Sequence, residues 1–178
     1  MRKSSYLFKV NMKASIIMDL ARLKKPVFKN LVILLCINRS FKFVFWFRLS
    51  KLPPPLGFIS LLIFRHYSIK YGVDIPSCTE IGGGLKFPHC QNIVITNQAV
   101  IGENCTIFQD VTIGCNIIGN LQGPLIGNNV TICAGAKIIG NIKIGNNVII
   151  GANAVVVNNI PDNCIAIGVP AKTIPRKK

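Results

Sequence analysis

The sequence predicts a mainly β protein: a parallel β-helix of six-residue repeats, with a short α-helical segment ahead of it. Three observations carry this. An aliphatic residue recurs at every sixth position from Ile126, through Ile132, Ile138, Ile144 and Ile150 to Val156. Two earlier frames keep the same period, Ile95, Ile101, Ile107, Ile113 and, before them, Ile75, Ile81, Phe87, Ile93. Small residues such as Ala136 and Ala154 follow four positions after the aliphatic one, and Gly or Asn stands at many of the intervening corners. About eleven such units form a stacked solenoid, in which inward aliphatic side chains lie in columns and Gly or Asn turns the chain. Those residue types suit corners because positive φ costs them least.

The helical segment comes first. A chain of 178 residues holds one sizeable domain, or one domain with an appendage. Half of it is hydrophobic and 15% is charged, which excludes a disordered polyelectrolyte. The net charge of +15 is unevenly spread: residues 1–72 hold 14 of the 21 Lys and Arg and a single acid, Asp19. That is +13 for the first 72 residues and +2 for residues 73–178. Apolar runs at Leu31–Ile37, Phe43–Phe47 and Gly57–Phe64 are interrupted by Arg39, Lys42, Arg48 and Lys51, and Pro53-Pro54-Pro55 breaks the pattern. None approaches the roughly 20 apolar residues of a membrane span. The segment suits a helical cap on the body, or an amphipathic surface against an anionic leaflet, where each nearby cation contributes about 1 kcal/mol. Nucleic acid ranks last, since no recognition motif accompanies the charge.

The seven cysteines are odd in number, scattered and without metal-ligand spacing, and no secretory signal opens the chain. Small buried thiols in a reducing cytoplasm are expected, with no metal, and contact with the inner face of a membrane is a second expectation for residues 1–72.

The frame breaks are informative. From Ile93 to Ile95 the register shifts by two, and between Ile113 and Ile126 the interval is 13. The intervening GCNIIGNLQGPL (114–125) lacks the pattern and is expected to bulge from the wall as a loop, where binding residues collect.

An ordered set of segments resembles the hexapeptide acyltransferases, specifically the serine acetyltransferase family and its polysaccharide-acetylating relatives. It comprises GVDIP (72–76), GLKFPHCQNIVI (84–95), IGENCTIFQDVTIG (101–114), ICAGAKIIGNIKIG (132–145), IGANAVV (150–156) and IGVPAK (167–172), and the match runs from about Phe45 to the C-terminus. The resemblance implies a left-handed parallel β-helix of hexapeptide repeats, assembled as a homotrimer with active sites between neighbouring rods. It also implies transfer of acetyl from acetyl-CoA to a hydroxyl, with His89 as general base and Asp74 as its orienting carboxylate. The chemistry supports these roles. An alcohol is a poor nucleophile at neutral pH, so a base must take its proton as the thioester is attacked. Imidazole titrates near neutrality, and a buried carboxylate on its other nitrogen would fix the tautomer and steady the imidazolium. Asp74 and His89 are 15 residues apart, close to one coil of three hexapeptides. The competing reading of His89 is a satisfied polar residue at a corner; His66, in the helical segment, reads as structural.

By the same resemblance, acetyl-CoA lies along Gly114 and Cys115 at the loop start, Ala134 and Ala152, with Lys137 and Lys172 available to phosphate. The alanines are equally explained by repeat packing. Where the family reads serine with charged residues, this chain has Pro88 before the histidine, and Gln122-Gly123 before Pro124 at the loop's end. An amino acid brings an ammonium and a carboxylate that need partners. The departure therefore directs the expected acceptor towards an uncharged sugar hydroxyl of surface polysaccharide. Serine O-acetylation for cysteine synthesis is the alternative, and a non-catalytic trimeric scaffold a third reading.

Overall fold

The computed structural model describes residues 12–23, 25, 28–116 and 121–176. Four helices lead: α1 (Met12–Ala21), α2 (Phe28–Ile37), α3 (Arg39–Leu49) and α4 (Leu56–Tyr71). The side chain of Asn38 caps α3 by accepting from the Phe41 N–H, 2.8 Å away. The Pro53–Pro55 run separates α3 from α4, and Gly72 ends α4 at φ 63°.

Short strands follow in chain order: β1 (Val73–Asp74), β2 (Glu80–Ile81), β3 (Ile93–Ile95), β4 (Val100–Ile101), β5 (Thr106–Ile107), β6 (Thr112–Gly114) and β7 (Leu125–Ile126), then β8 (Thr131–Ile132), β9 (Lys137–Ile139), β10 (Lys143–Ile144), β11 (Ile149–Ile150), β12 (Val155–Val156), β13 (Cys164–Ile167) and β14 (Lys172–Pro175). They stack into three sheets that form the faces of a left-handed parallel β-helix. The first face orders β1-β3-β6-β9-β12, the second β2-β4-β7-β10, and the third β5-β8-β11-β13-β14. All pairings are parallel except β13–β14, where the chain doubles back over the last coil.

The six-residue period is the cause of the core. Ile95, Ile113, Ile138 and Val156 align on the first face, Ile81, Ile101, Ile126 and Ile144 on the second, and Ile107, Ile132 and Ile150 on the third. All are buried, most completely. Each such side chain contributes about 1.5–3 kcal/mol on leaving water, so the columns dominate the energetics. The corners fall where Asn was expected: Asn92, Asn104, Asn129, Asn147, Asn153 and Asn163, with Asp110, have φ of 52–61°. A side-chain ladder pins the coils at the second corner. Asn128 Oδ1 accepts from the Glu103 N–H (2.7 Å), Asn146 Oδ1 from the Asn128 N–H (2.8 Å) and Asp162 Oδ1 from the Asn146 N–H (2.8 Å).

Both frame breaks have structural counterparts. In β3, Ile93 and Ile95 both point inward around an outward Val94, which absorbs the two-residue shift. The coil from Ile101 to its partner Ile126 is longer than the next, Ile126 to Ile144, and the excess is the loop after β6. Residues 117–120 of that loop lie outside the described residues.

The helices give way to the rod at Gly72 and share its core. Phe43, Val44 and Phe47 of α3 and Phe64 of α4 pack with Ile75, Ile81 and Phe87 of the first coil. The Phe43 ring lies 5.1 Å from Phe64 and 6.0 Å from Phe87. Without this plug the first coil's apolar interior would face water. Several cations of the helical segment are bound to the rod or to a neighbouring helix. Arg48, 1% exposed, donates to Asp19 (3.0 and 3.3 Å) and to the carbonyls of Ile81 and Gly82. Burial pushes the Asp19 carboxyl above its ordinary value, opposed by Arg48 and by the Leu85 and Gly84 amides. Arg22 donates to the carbonyls of Gly84 and Cys105 and to Thr106 Oγ1. Lys51 donates to the Thr79 carbonyl at 2.6 Å, above the Phe47 ring.

Two expectations need correction. Cys36 and Cys78 are exposed thiols, whereas Cys90, Cys105 and Cys164 are buried. The amphipathic surface expected of the whole segment is also not spread evenly over the helices. α3 is largely buried, and the exposed apolar face belongs to α4, through Leu56, Phe58, Ile59, Leu62 and Ile69. Among the described residues no single helix is long and apolar enough to cross a membrane; Lys29–Ile37 and Arg39–Leu49 would suffice only together, and they meet at 110°.

Candidate active site

One edge of the rod, where the third face turns into the first, gathers several of the residues singled out from the sequence. Backbone hydrogen bonds stack this corner coil upon coil. The Asn92 N–H donates to the Tyr71 carbonyl (3.2 Å), Asp110 to Gln91 (3.4 Å), Gly135 to Gln109 (3.0 Å) and Asn153 to Ala134 (2.9 Å). The step between coils is about 4.8 Å.

His89 lies on the first coil, on the approach to this edge. It is exposed, with its ring centroid 6.4 Å from that of Phe108 on the next coil. Asp74 lies on β1, beneath Val94 of β3, so it sits on the far side of the same corner. Among the described residues no hydrogen bond joins the two side chains. The expected buried carboxylate is also corrected: alternation in β1 turns Val73 inward and Asp74 outward to solvent. The single chain therefore offers an imidazole and a carboxylate on one open edge.

Ala134 is half-buried and Ala152 exposed in the same column, one coil apart. Lys172 opens β14 opposite Ile167 and is exposed; the neighbouring Ala171 N–H donates to Val155, which brings this turn to the top of the edge. Lys137, on β9 of the first face, donates to the Asp110 carbonyl (2.6 Å) and to Thr112 Oγ1 (3.1 Å). Its ammonium ties two coils together rather than standing free. Gly114 and Cys115 lie at the opposite edge of the first face, where the Gly140 N–H donates to Gly114 and Cys115 Sγ is 4.0 Å from Thr96 Oγ1.

The substrate candidates have packing roles. Pro88 is half-buried against the helices, and Ser40 of α3 donates to the carbonyl of its neighbour Phe87. Gly123 is buried, and a Cβ there would stand 2.6 Å from the Gln98 carbonyl carbon, so close backbone packing requires glycine. Gln122 is exposed. The sequence reading passed over Gln109, which lies on the site edge between the coils of His89 and Ala134. Its Oε1 is buried without a hydrogen-bond partner. A search for aliphatic period does not pick out a corner glutamine; a polar residue inside IFQDVTIG was the only available signal.

Comparison with known proteins gives a consistent result. Residues 123–158 match the family "Bacterial transferase hexapeptide (six repeats)". The serine acetyltransferase of Synechococcus elongatus is 34% identical over 132 residues, which is 72% of this chain and 50% of that protein. The chloroplastic serine acetyltransferase 1 of Arabidopsis thaliana is 42% identical over 123 residues, 67% of this chain and 38% of that one. The chain thus spans about half or less of these relatives' length. The crystal structure of the Neisseria gonorrhoeae serine acetyltransferase in complex with serine superimposes with a TM-score of 0.74 at 30% identity, covering 93% of this chain and 70% of that one. A serine acetyltransferase in complex with CoA gives 0.71 at 31% identity, covering 90% and 68%.

These findings overturn the sugar-acceptor expectation. The relatives and structures matched here are serine acetyltransferases, and none supports a polysaccharide branch. The expectation rested on uncharged residues at Pro88 and Gln122-Gly123, and of these Gly123 is held to glycine by close backbone packing. The superposition over 93% of the chain also takes in the helical segment. With its three-faced stack of hexapeptides and this likeness over nearly its whole length, the chain belongs to the hexapeptide-repeat acyltransferases, in the serine acetyltransferase family.

Proposed function

We propose that this protein is a serine O-acetyltransferase that uses acetyl-CoA as co-substrate. The observation that carries the reading is the likeness, over nearly the whole chain, to a serine acetyltransferase holding serine and to another holding CoA. The edge geometry agrees with it: a histidine and a carboxylate share one corner, above which small residues leave a shallow track.

His89 takes the proton of the serine hydroxyl as its oxygen attacks the thioester carbonyl. Asp74 is the positioning residue for the imidazole and for the charge it acquires. The tetrahedral intermediate collapses with cleavage of the carbon–sulfur bond. The imidazolium returns its proton to the departing CoA thiolate, and O-acetylserine and CoA leave. CoA lies along the edge past Ala134 and Ala152, with Lys172 beside its phosphates. Because Asp74 and His89 are open in the single chain, we assign the working unit as a homotrimer in which a neighbouring rod covers each edge. The basic first 72 residues and the exposed apolar face of α4 support contact with an anionic membrane surface.

Release of free thiol from acetyl-CoA, with L-serine as acceptor, tests the assignment. Serine-dependent release with formation of O-acetylserine is expected, and its absence from a correctly folded trimer would sink the reading. Light scattering of the purified protein reads the trimer, and sedimentation with vesicles containing phosphatidylserine reads the membrane contact.

A further inference from the structure

Beside the corner that follows His89, the helices meet the rod around an open depression of about 340 Å³. Arg39 at the start of α3 and Lys70 in the last turn of α4 line it, with Tyr71, Cys90, Gln91 and Asn92. Both cations are exposed, and among the described residues neither head group has an ion-pair or hydrogen-bond partner. That contrasts with Arg22, Arg48 and Lys51, whose heads are all engaged by the rod. Arg39 is also close enough to Tyr71 for its charge to favour the phenolate, against the larger effect of burial, which pushes that phenol up. Two uncommitted cations thus converge on a polar recess whose wall includes Cys90, the residue after His89, and whose floor is Gly72, two residues before Asp74.

We propose that Arg39 and Lys70 form the site that holds the carboxylate of the amino-acid acceptor, a specificity element supplied by the helical cap rather than by the loop after β6. The proposal rests on the serine reading above. It accounts for how a chain with Gln122-Gly123 at the loop's end can still bind a substrate carrying a carboxylate. Only two carbons separate the carboxylate of serine from its hydroxyl, so an acid group held in this recess directs the hydroxyl towards the corner where Cys90 lines the wall next in sequence to His89. A guanidinium and an ammonium are suited to this task, since charge-assisted hydrogen bonds to a carboxylate are the stronger kind. The same chemistry would attract a CoA phosphate, and the experiment separates the two.

Arg39→Gln, Lys70→Gln and the double variant are compared with the parent for the KM of L-serine, the KM of acetyl-CoA and the preference for L-serine over uncharged L-serinamide. The double variant is expected to raise the serine KM at least tenfold, leave the acetyl-CoA KM within twofold and lose the preference over serinamide. Arg39→Lys should recover part of the serine affinity. An unchanged serine KM in the double variant overturns the site. A rise confined to the acetyl-CoA KM assigns the cations to phosphate and overturns the carboxylate role. If the parent itself does not acetylate serine, the serine reading falls and this site falls with it; a parent that does, with insensitive variants, removes this site alone. Both residues are exposed, so the variants should fold, and a thermal melt verifies it.

Discussion

Replacing Asp19 with alanine removes the only counter-charge, among the described residues, of a guanidinium that is 1% exposed. The carboxylate accepts from Arg48 Nε at 3.0 Å and Nη2 at 3.3 Å, and from the Leu85 N–H at 2.8 Å. Its loss leaves Arg48 with two backbone carbonyls and no compensating charge, and leaves the Leu85 N–H without an acceptor. Breaking a buried ion pair from one side costs about 3–5 kcal/mol, and an orphaned buried donor alone about 1–3, partly the same energy. We expect a loss of about 4 kcal/mol. With a urea slope of about 2 kcal/mol/M, the midpoint should fall by about 2 M. The assay is urea unfolding followed by circular dichroism, at fixed protein concentration so that assembly does not intrude. The double variant Asp19→Leu with Arg48→Met removes both charges at once, and should lie well above Asp19→Ala. A midpoint shift below about 0.5 M for Asp19→Ala, or a double variant no more stable than the single one, would refute the claim that this pair latches the helices to the rod.

Other outcomes follow from the same structure. His89→Ala should lower kcat by about 10²–10⁴ while leaving the melting temperature in place, and an unimpaired rate removes the base assignment. Burial, and secondarily Arg48, lowers the Lys51 ammonium from 10.5 to about 8. Below pH 8 both folded and unfolded chains carry that proton; between about 8 and 10.5 only the unfolded chain does, so the contribution to stability rises with pH. Because Lys51 is part-exposed, the rise should be about 1–2 kcal/mol, and it should vanish in Lys51→Met; urea midpoints from pH 7 to 10 that run parallel for the two proteins would contradict this. Ile138, stacked between Ile113 and Val156, should cost about 2–5 kcal/mol on replacement by alanine, read by the same urea titration. Gly123→Ala drives a Cβ to 2.6 Å from the Gln98 backbone and should lower stability by about 1–3 kcal/mol; a melting temperature equal to the parent's would show that the loop gives way freely.

The rod was legible because its information is local and repeated. Ile126 to Val156 at period six states which side chains point inward, and Asn153 or Asn163 states where the chain turns, with no knowledge of distant residues. The loop after β6 was legible for the same reason, as the place where the period fails. Asp74 and His89 could be named as a pair because the resemblance to the serine acetyltransferase family implies it, and a separation close to one coil agrees. Their exposure could not, since it depends on what lies over the edge. Gln109 was overlooked because its interest lies in a buried, unpartnered oxygen, which no linear pattern reveals.

The sequence by itself determined the β-helix, its corners and its insertion, because a solenoid maps position along the chain directly onto position in space. Only the tertiary structure decided what the basic helical segment does. Asp19 finds Arg48, Arg22 reaches Thr106 far along the chain, and Arg39 and Lys70 come together around a recess lined by Cys90, Gln91 and Asn92. The charges missing from Pro88 and Gln122-Gly123 misdirected the acceptor expectation for that reason: electrostatic partners act through space, and a packed helix can bring a cation to a site that its own strand or loop does not supply.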